Sequence, residues 1–118
     1  MKPLLASLLA WLCASLAFAA DTEPWPLAGQ QGLMRFVIVP MDQARDRDAY
    51  LRQIQLLCPP DRTCFLNFYT NSSGAPLGVP LPDAIDREAT ATFRRSSKQG
   101  AERFQWSCRM LDIQGDCF

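Results

Sequence analysis

Four cysteines between residues 58 and 117, spaced C-x₅-C and C-x₈-C, restrict the fold more than any other feature of the sequence. They are Cys58, Cys64, Cys108 and Cys117. The fifth cysteine, Cys13, lies in an N-terminal segment that we expect to be removed from the mature protein. An even number of cysteines in a short exported chain predicts two disulfide bonds.

Residues 1–19 have the layout of a cleaved secretory signal peptide. Lys2 precedes an apolar run, which ends in the small-x-small site AFA at residues 17–19, just before the chain turns polar. A membrane-spanning helix needs about 20 apolar residues, and this run is shorter. We therefore expect cleavage after Ala19, no membrane span in the mature chain, and a periplasmic or secreted protein; an uncleaved anchor is the alternative.

Charge and composition favour a bacterial exported protein without a nucleic-acid partner. Removal of Lys2 leaves eleven basic and twelve acidic residues, a balance that favours neither nucleic acid nor an anionic membrane surface. Ten of the eleven basic residues are arginine, which a GC-rich genome explains more simply than selection for anion recognition. We favour the periplasm over a eukaryotic secreted origin, although Asn71-Ser72-Ser73 fits the N-glycosylation pattern.

The chain length predicts one small domain. After the signal peptide, residues 20–31 are expected to form an extended leader, and residues 32–118 a single α/β domain. A domain of this size is only marginally stable on its hydrophobic core alone. Two disulfides that close short loops are expected to add about 2–3 kcal/mol each to the free energy of unfolding.

Hydrophobic periodicity predicts a small two-layer domain with the element order β-α-β-α-β, a three-stranded sheet and two helices. The strands are expected at residues 33–39, 63–69 and 102–110. The first helix is expected from the N-cap Asp42 to about Leu57, where Pro59-Pro60 stops it, and the second from Asp83 to about Arg95.

The favoured cysteine connectivity is the local one, Cys58 with Cys64 and Cys108 with Cys117. A helix that ends at Cys58 and a strand that begins at Cys64 bring these two residues close. A zinc site needs C-x₂₋₄-C spacings and a redox-active pair needs C-x-x-C, and neither spacing is present. We expect structural disulfides, without a metal or another cofactor.

The chain contains no histidine, which argues against most catalytic arrangements. Ser-His-Asp and Cys-His nucleophiles require one, and no G-x-S-x-G, P-loop or G-x-G-x-x-G motif is present. A histidine-free hydrolase would have to use carboxylate pairs such as Asp42 with Asp46 or Asp83 with Asp86. Both pairs lie at the start of a predicted helix, where acids cap the helix and complement its dipole. We expect a protein that is not an enzyme.

The first candidate binding surface is the sheet face turned away from both helices, where aromatic residues alternate with arginine. The helix-covered face is expected to carry Phe36, Ile38, Leu66, Phe68, Phe104, Trp106 and Met110. The other face is expected to carry Arg35, Val37, Phe65, Asn67, Tyr69, Arg103, Gln105, Ser107 and Arg109. A protein or a cell-envelope component is the expected partner; the alternative is that the leader, the C-terminal tail or solvent covers this face.

The second candidate surface is the loop at residues 71–81, where Ser72, Ser73 and Gly74 are the expected contacts. Such a loop can insert into a partner's cleft, as enzyme-inhibitor loops do. An inhibitor or immunity-type protein against a secreted or cell-wall hydrolase is therefore the alternative to an accessory binding protein. An ordinary connection between two elements is the other interpretation of this loop.

At C-x₅-C leading into FLNFYT, and again at the closing RFQWSC, the chain resembles small exported bacterial proteins of unknown function with paired disulfides. In those proteins a helix-ending cysteine runs into an aromatic strand, and an aromatic-x-cysteine follows late in the chain. The similarity covers most of the mature chain. It implies export and disulfides, and it implies no site.

Overall fold

The structure, a computed structural model, describes residues 23–118, and the predicted signal peptide lies outside the described residues. One sheet of five strands runs in the order β1-β2-β3-β4-β5. The strands are β1 (Leu27–Gln31), β2 (Met34–Ile38), β3 (Cys64–Tyr69), β4 (Ala89–Arg95) and β5 (Glu102–Trp106). The helices are α1 (Arg47–Leu57), α2 (Asp83–Asp86) and α3 (Cys108–Leu111), with a 3₁₀ turn at Met41–Gln43.

One pair of neighbouring strands is parallel, β2 with β3, and the chain between them contains α1. Parallel neighbours need a crossover connection, so α1 is placed against one face of the sheet. The other neighbouring strands are antiparallel. The turn between β1 and β2 contains Gly32 at a φ of 59°, a conformation that glycine adopts without steric cost.

The predicted class, a small α/β domain with two disulfides, is confirmed, but the three-stranded sheet, the two helices and the order β-α-β-α-β are wrong. One missed strand is β1, within the segment that we expected to be an extended leader. The other is β4, which occupies the second half of the predicted second helix; only the first turn of that helix forms, as α2.

The prediction of a long second helix depended on Ile85, Ala89 and Phe93, which recur at steps of four residues. Four is also a multiple of the two-residue period of a strand, so this spacing does not separate the two structures. The β-branched residues Thr90 and Thr92 lie between these positions and favour the strand.

Helix α1 begins later than predicted, at Arg47, because Asp46 rather than Asp42 is its N-cap. The Asp46 carboxylate accepts a hydrogen bond from the Ala49 amide at 3.3 Å. Asp42 belongs to the preceding 3₁₀ turn. The helix ends at Leu57, as the following prolines predict.

The main core lies between α1 and the sheet and is centred on the fully buried Tyr50. Its ring makes edge contacts with Phe68, Trp106 and Phe104 at centroid distances of 4.9, 5.0 and 5.6 Å. The Tyr50 hydroxyl donates to the Ala44 carbonyl at 2.8 Å. The polar end of this buried side chain is therefore satisfied, as buried polar groups require.

A second apolar cluster covers part of the opposite face of the sheet. Ile85 of α2 is fully buried there with Phe36 and Tyr69. We expected two longer helices on the same face of the sheet. In the structure α1 packs on one face and the short α2 packs on the other. The loop before α2 also approaches β1 closely, because a Cβ atom at Gly29 would lie 2.6 Å from the Val79 side chain.

The disulfides join Cys58 to Cys64 and Cys108 to Cys117, which is the predicted local pairing. The first bond is buried and closes the turn between α1 and β3. The second ties the C-terminal segment to the end of β5, where the Phe118 amide also donates to the Trp106 carbonyl at 2.9 Å. None of the helices formed by residues 23–118 has the length and hydropathy that crossing a bilayer requires.

Candidate functional site: the open sheet face

The face of the sheet opposite α1 carries its side chains in rows that run across the strands. Residues directly opposite each other on neighbouring strands point to the same face. One row consists of Met34, Phe65, Arg94 and Arg103. The next row consists of Phe36, Asn67, Thr92 and Gln105. Each row thus changes from apolar on β2 to polar or basic on β5.

The apolar cluster around Ile85 buries the β2 end of these rows, including Phe36 and Tyr69. The remaining side chains are half-buried or, at Arg103, exposed. We call this group the open sheet face: Phe65, Asn67, Thr92, Arg94, Arg103 and Gln105.

Arg94 is held in one position near the centre of the open sheet face. Its Nη1 donates to the carbonyls of Leu66 and Phe93 at 3.0 and 2.9 Å, and its Nη2 donates to Asn67 Oδ1 at 2.8 Å. The guanidinium also lies over the Phe65 ring, 5.8 Å from its centroid. Desolvation lowers the pKa of Arg94, in keeping with its half-buried position.

Asn67 connects Arg94 to Tyr69, since its Nδ2 donates to the Tyr69 hydroxyl oxygen at 3.3 Å. Burial is the main cause that raises the pKa of Tyr69, so the phenol stays neutral at physiological pH. Tyr69 therefore supports the open sheet face from its covered edge and does not belong to its exposed part.

The C-terminal segment contributes one carboxylate to this face. Asp116 Oδ1 accepts from Arg103 Nη2 at 2.9 Å and from Gln105 Nε2 at 3.4 Å. The side chains of Arg103 and Asp116 are 63% and 84% exposed, and an ion pair so exposed contributes little to stability. Within residues 23–118, Arg103 has this carboxylate partner and Arg94 has none.

Two predicted members of this face, Arg35 and Val37, lie on the opposite side of the sheet. Val37 is fully buried against α1. Arg35 donates to the Leu57 carbonyl at 2.6 Å and lies 3.0 Å from Cys64 Sγ. Conversely, Phe36 packs on the side that we predicted to be free of helices. The strand is apolar on both faces, so its sequence does not determine which residues face α1.

Two other predicted members, Ser107 and Arg109, lie beyond the sheet because β5 ends at Trp106. Ser107 is the N-cap of α3 and accepts from the Met110 amide at 3.3 Å. Arg109 lies within α3 and donates to the Arg87 carbonyl. The strand predicted at residues 102–110 was too long, and Met110 belongs to α3 for the same reason.

Sequence reasoning missed Arg94 as a site residue because it placed this position near the end of a helix. The alternation of small, threonine and aromatic residues in ATATFRR is the signal that indicates a strand. The structure thus brings together Phe65, Asn67, Arg103 and Gln105 from the predicted set, and Arg94 and Thr92 join them.

The loop at residues 71–81 begins with a turn that Asn71 stabilises. Its side chain accepts from the Ala75 amide at 3.0 Å and donates to the Ala75 carbonyl at 2.9 Å. Ser73 and Gly74 lie at the exposed tip of this turn, where Gly74 has a φ of 70°. All three predicted loop contacts, Ser72, Ser73 and Gly74, are exposed, and the last two form the tip of the turn.

The third predicted contact, Ser72, is bound to Glu88. The Glu88 carboxylate accepts from the Ser72 amide and hydroxyl at 3.1 and 2.6 Å, and from the Thr70 hydroxyl at 2.7 Å. Partial burial opposes the charge on Glu88, but these three hydrogen bonds outweigh it and lower the pKa of the carboxyl group. Glu88 fastens the start of the loop to the end of α2.

A cleft of about 290 Å³ lies at the carboxyl ends of β2 and β3, away from the open sheet face. Its two buried hydroxyl groups already have partners: Thr70 donates to Glu88, and the Thr90 hydroxyl is hydrogen-bonded to the Tyr50 hydroxyl oxygen at 2.9 Å. No buried side-chain polar atom in the described part of the chain lacks a hydrogen-bond partner. The buried hydroxyl groups of the cleft are thus occupied, and its charged lining residues, Asp42 and Arg45, are exposed.

A smaller cleft of about 250 Å³ lies between the Cys58–Cys64 turn and the turn that joins β4 to β5. Arg95 and Glu102 form an ion pair at 2.7 Å in its wall. Between residues 23 and 118 no group of three or more metal-ligating side chains is placed to hold a metal ion.

No protein-family model, no curated protein and no solved structure matches this chain.

Proposed function

We propose that this protein is a non-catalytic binding module of the periplasm or the secreted medium, and that it docks a protein partner on the open sheet face. Its two disulfides support an oxidising compartment, because such bonds persist mainly outside the cytoplasm. The layout of residues 1–19 supports export.

The observation that carries this proposal is the fixed guanidinium of Arg94 over Phe65 in an uncovered part of the sheet. Arginine and aromatic residues dominate the energetics of protein interfaces. A side chain already held by hydrogen bonds loses little conformational freedom when a partner binds. A surface of this kind is suited to recognition.

Capture from native periplasmic extract tests the docking surface. The immobilised mature protein is compared with Gln105→Trp, which fills the open sheet face, and with Arg52→Glu on the exposed side of α1 as a matched control. We expect a partner, identified by mass spectrometry, to bind the wild type and the control but not Gln105→Trp. Equal capture by all three proteins would place the docking surface elsewhere.

The loop at residues 71–81 supports a second candidate, an inhibitor or immunity-type protein. The two hydrogen bonds from Asn71 to Ala75 hold the tip at Ser73 and Gly74 in one conformation, as an inserting loop requires. Purified protein added to a panel of lysozymes and other cell-wall hydrolases tests this idea, with Ser73→Trp as the loop variant. Full enzyme activity at micromolar excess of the wild type counts against the inhibitor.

A further inference from the structure

Arg94 and Arg103 lie directly opposite each other on β4 and β5. Like charges in this position destabilise a pair of strands, since the two side chains are neighbours on the same face. Asp116 lies against Arg103 and offsets part of this repulsion, while Arg94 has no acidic partner in the described part of the chain. An anion that binds at Arg94 would offset the rest.

The hydrogen bonds of Arg94 leave one side of its guanidinium without an acceptor. Of the five N–H donors of an arginine, three are directed at Leu66, Phe93 and Asn67. The Nε–H and the second Nη2–H have no acceptor among residues 23–118. An Nε–H and an Nη–H on one side of the guanidinium plane match the two oxygens of a carboxylate.

We propose that the open sheet face recognises an acidic polypeptide segment, with one Glu or Asp carboxylate bound by Arg94 and attracted also by the charge of Arg103 on the neighbouring strand. This inference rests on the proposed docking function and names the chemistry of the partner. Arg94 supplies a bidentate contact, and Phe65 beside it supplies an apolar contact for the methylene groups of the same side chain.

Asp116 supports a polypeptide carboxylate as the bound group. Asp116 is itself a carboxylate of a polypeptide, and it already accepts hydrogen bonds from Arg103 and Gln105 on this face. Because the ion pair between Asp116 and Arg103 is highly exposed, a carboxylate of the partner displaces Asp116 at little cost in free energy. Asp116 is therefore a competitor for the site, and its removal strengthens binding.

The test is an NMR titration of the ¹⁵N-labelled mature protein with a capped glutamate-rich peptide, against the matched glutamine peptide. We expect shifts of the backbone amides of Phe65, Asn67 and Arg94 and of the Arg94 Nε–H. The glutamine peptide and the Arg94→Gln variant should each bind about tenfold more weakly, because the charge-assisted bidentate contact is lost. Arg94→Lys should also bind more weakly, since an ammonium group lacks the planar fork.

The controls separate the site from a general effect of charge. Asp116→Asn should bind the glutamate peptide roughly threefold more tightly, and Arg52→Gln on α1 should bind it like the wild type. Thermal unfolding checks each variant, and Arg103→Gln, whose side chain is exposed, provides a second variant should Arg94→Gln unfold. Equal affinity for the two peptides, or an unchanged affinity in both variants, would overturn the proposal.

Three further outcomes separate this inference from the docking function. Binding of inorganic sulfate or a sulfated oligosaccharide at Arg94 without binding of the glutamate peptide would overturn the acidic polypeptide as the ligand. Loss of native-partner capture in Gln105→Trp but not in Arg94→Gln or Arg103→Gln would retain the docking surface and overturn the carboxylate contact. Unchanged capture in Gln105→Trp would overturn the docking surface itself.

Discussion

Gln53 on α1 and Trp25 before β1 form a buried hydrogen-bonded pair that ties the N-terminal segment to the core. Gln53 Oε1 accepts from the Trp25 amide at 2.8 Å, and its Nε2 donates to the Glu23 carbonyl at 2.8 Å. Both side chains are almost completely buried, and the Trp25 ring packs on Tyr50 with a centroid distance of 5.2 Å. The segment that precedes the sheet is thus part of the hydrophobic core.

Replacement of Gln53 by leucine should destabilise the domain by about 1–3 kcal/mol, because the buried Trp25 amide loses its acceptor. Urea unfolding followed by tryptophan fluorescence measures the change in the free energy of unfolding. Gln55→Leu, at an exposed position on the same helix, is the matched control and should change the free energy by less than about 0.5 kcal/mol. Equal stability of the two variants would contradict the role of Gln53.

Tyr50 should make the stability of the protein depend on pH in the alkaline range. Burial raises the pKa of Tyr50 from 10.0 to about 12 in the folded state, although a hydrogen bond with Thr90 acts in the opposite direction. Since the unfolded chain loses this proton first, the contribution is complete below pH 10 and is lost as the pH rises towards 12.

The measurement is the free energy of unfolding against pH for the wild type, Tyr50→Phe and Tyr69→Phe. Burial also raises the pKa of Tyr69, so each variant should remove its own part of the alkaline decline. Tyr50→Phe should in addition cost about 1 kcal/mol at neutral pH, where its hydroxyl no longer donates to Ala44. A Tyr50→Phe protein with the full alkaline decline would disagree with this assignment.

Glu88 should give the opposite dependence in the acid range. Although its partial burial favours the neutral form, hydrogen bonds from Ser72 and Thr70 lower its pKa below the ordinary value of 4.5. The stabilisation is present above that ordinary value and is lost as the pH falls through the lower pKa of the folded state. Glu88→Gln should therefore show a shallower loss of stability on acidification, which acid titration followed by circular dichroism measures.

The two disulfides should differ in their resistance to reduction. Cys58 and Cys64 are 3% and 2% exposed, whereas Cys108 and Cys117 are half-buried near the surface. Thiol–disulfide exchange requires access to a sulfur atom, so a mild reductant should open Cys108–Cys117 first. Alkylation of the free thiols followed by peptide mass spectrometry identifies the order. Earlier labelling of Cys58 or Cys64 in the folded protein would contradict this prediction.

The sequence predicts those parts of the fold in which the local pattern of residues fits only one structure. Cys58 and Cys64 flank a short turn between a helix and a strand, so their pairing follows from their spacing. In β5, apolar and polar residues alternate, and Arg103 and Gln105 were therefore assigned to the face on which they lie. The same alternation did not predict where β5 ends, because Ser107 caps α3, the helix that follows this strand.

The parts that the sequence did not predict are those in which two faces of one element are buried. Phe36 and Val37 are neighbours in β2, and both are buried, one against the α2 side and the other against α1. No local pattern distinguishes their directions, which tertiary packing decides. Arg94 was missed for a related reason, since the spacing of apolar residues around it fits a helix as well as a strand.

The order of the strands in the sheet has a consequence for how the domain assembles. Each strand from β2 to β5 pairs with the one that precedes it in the chain, and the connections from β1 to β2 and from β4 to β5 are short turns with a small entropic cost of closure. The longest connection between paired strands contains α1, whose backbone hydrogen bonds are local and shorten the span that has to be closed. As the chain is extended from its N-terminus, each strand after β1 can thus add to the edge formed by the strand before it, and no strand has to be inserted between two strands that are already paired.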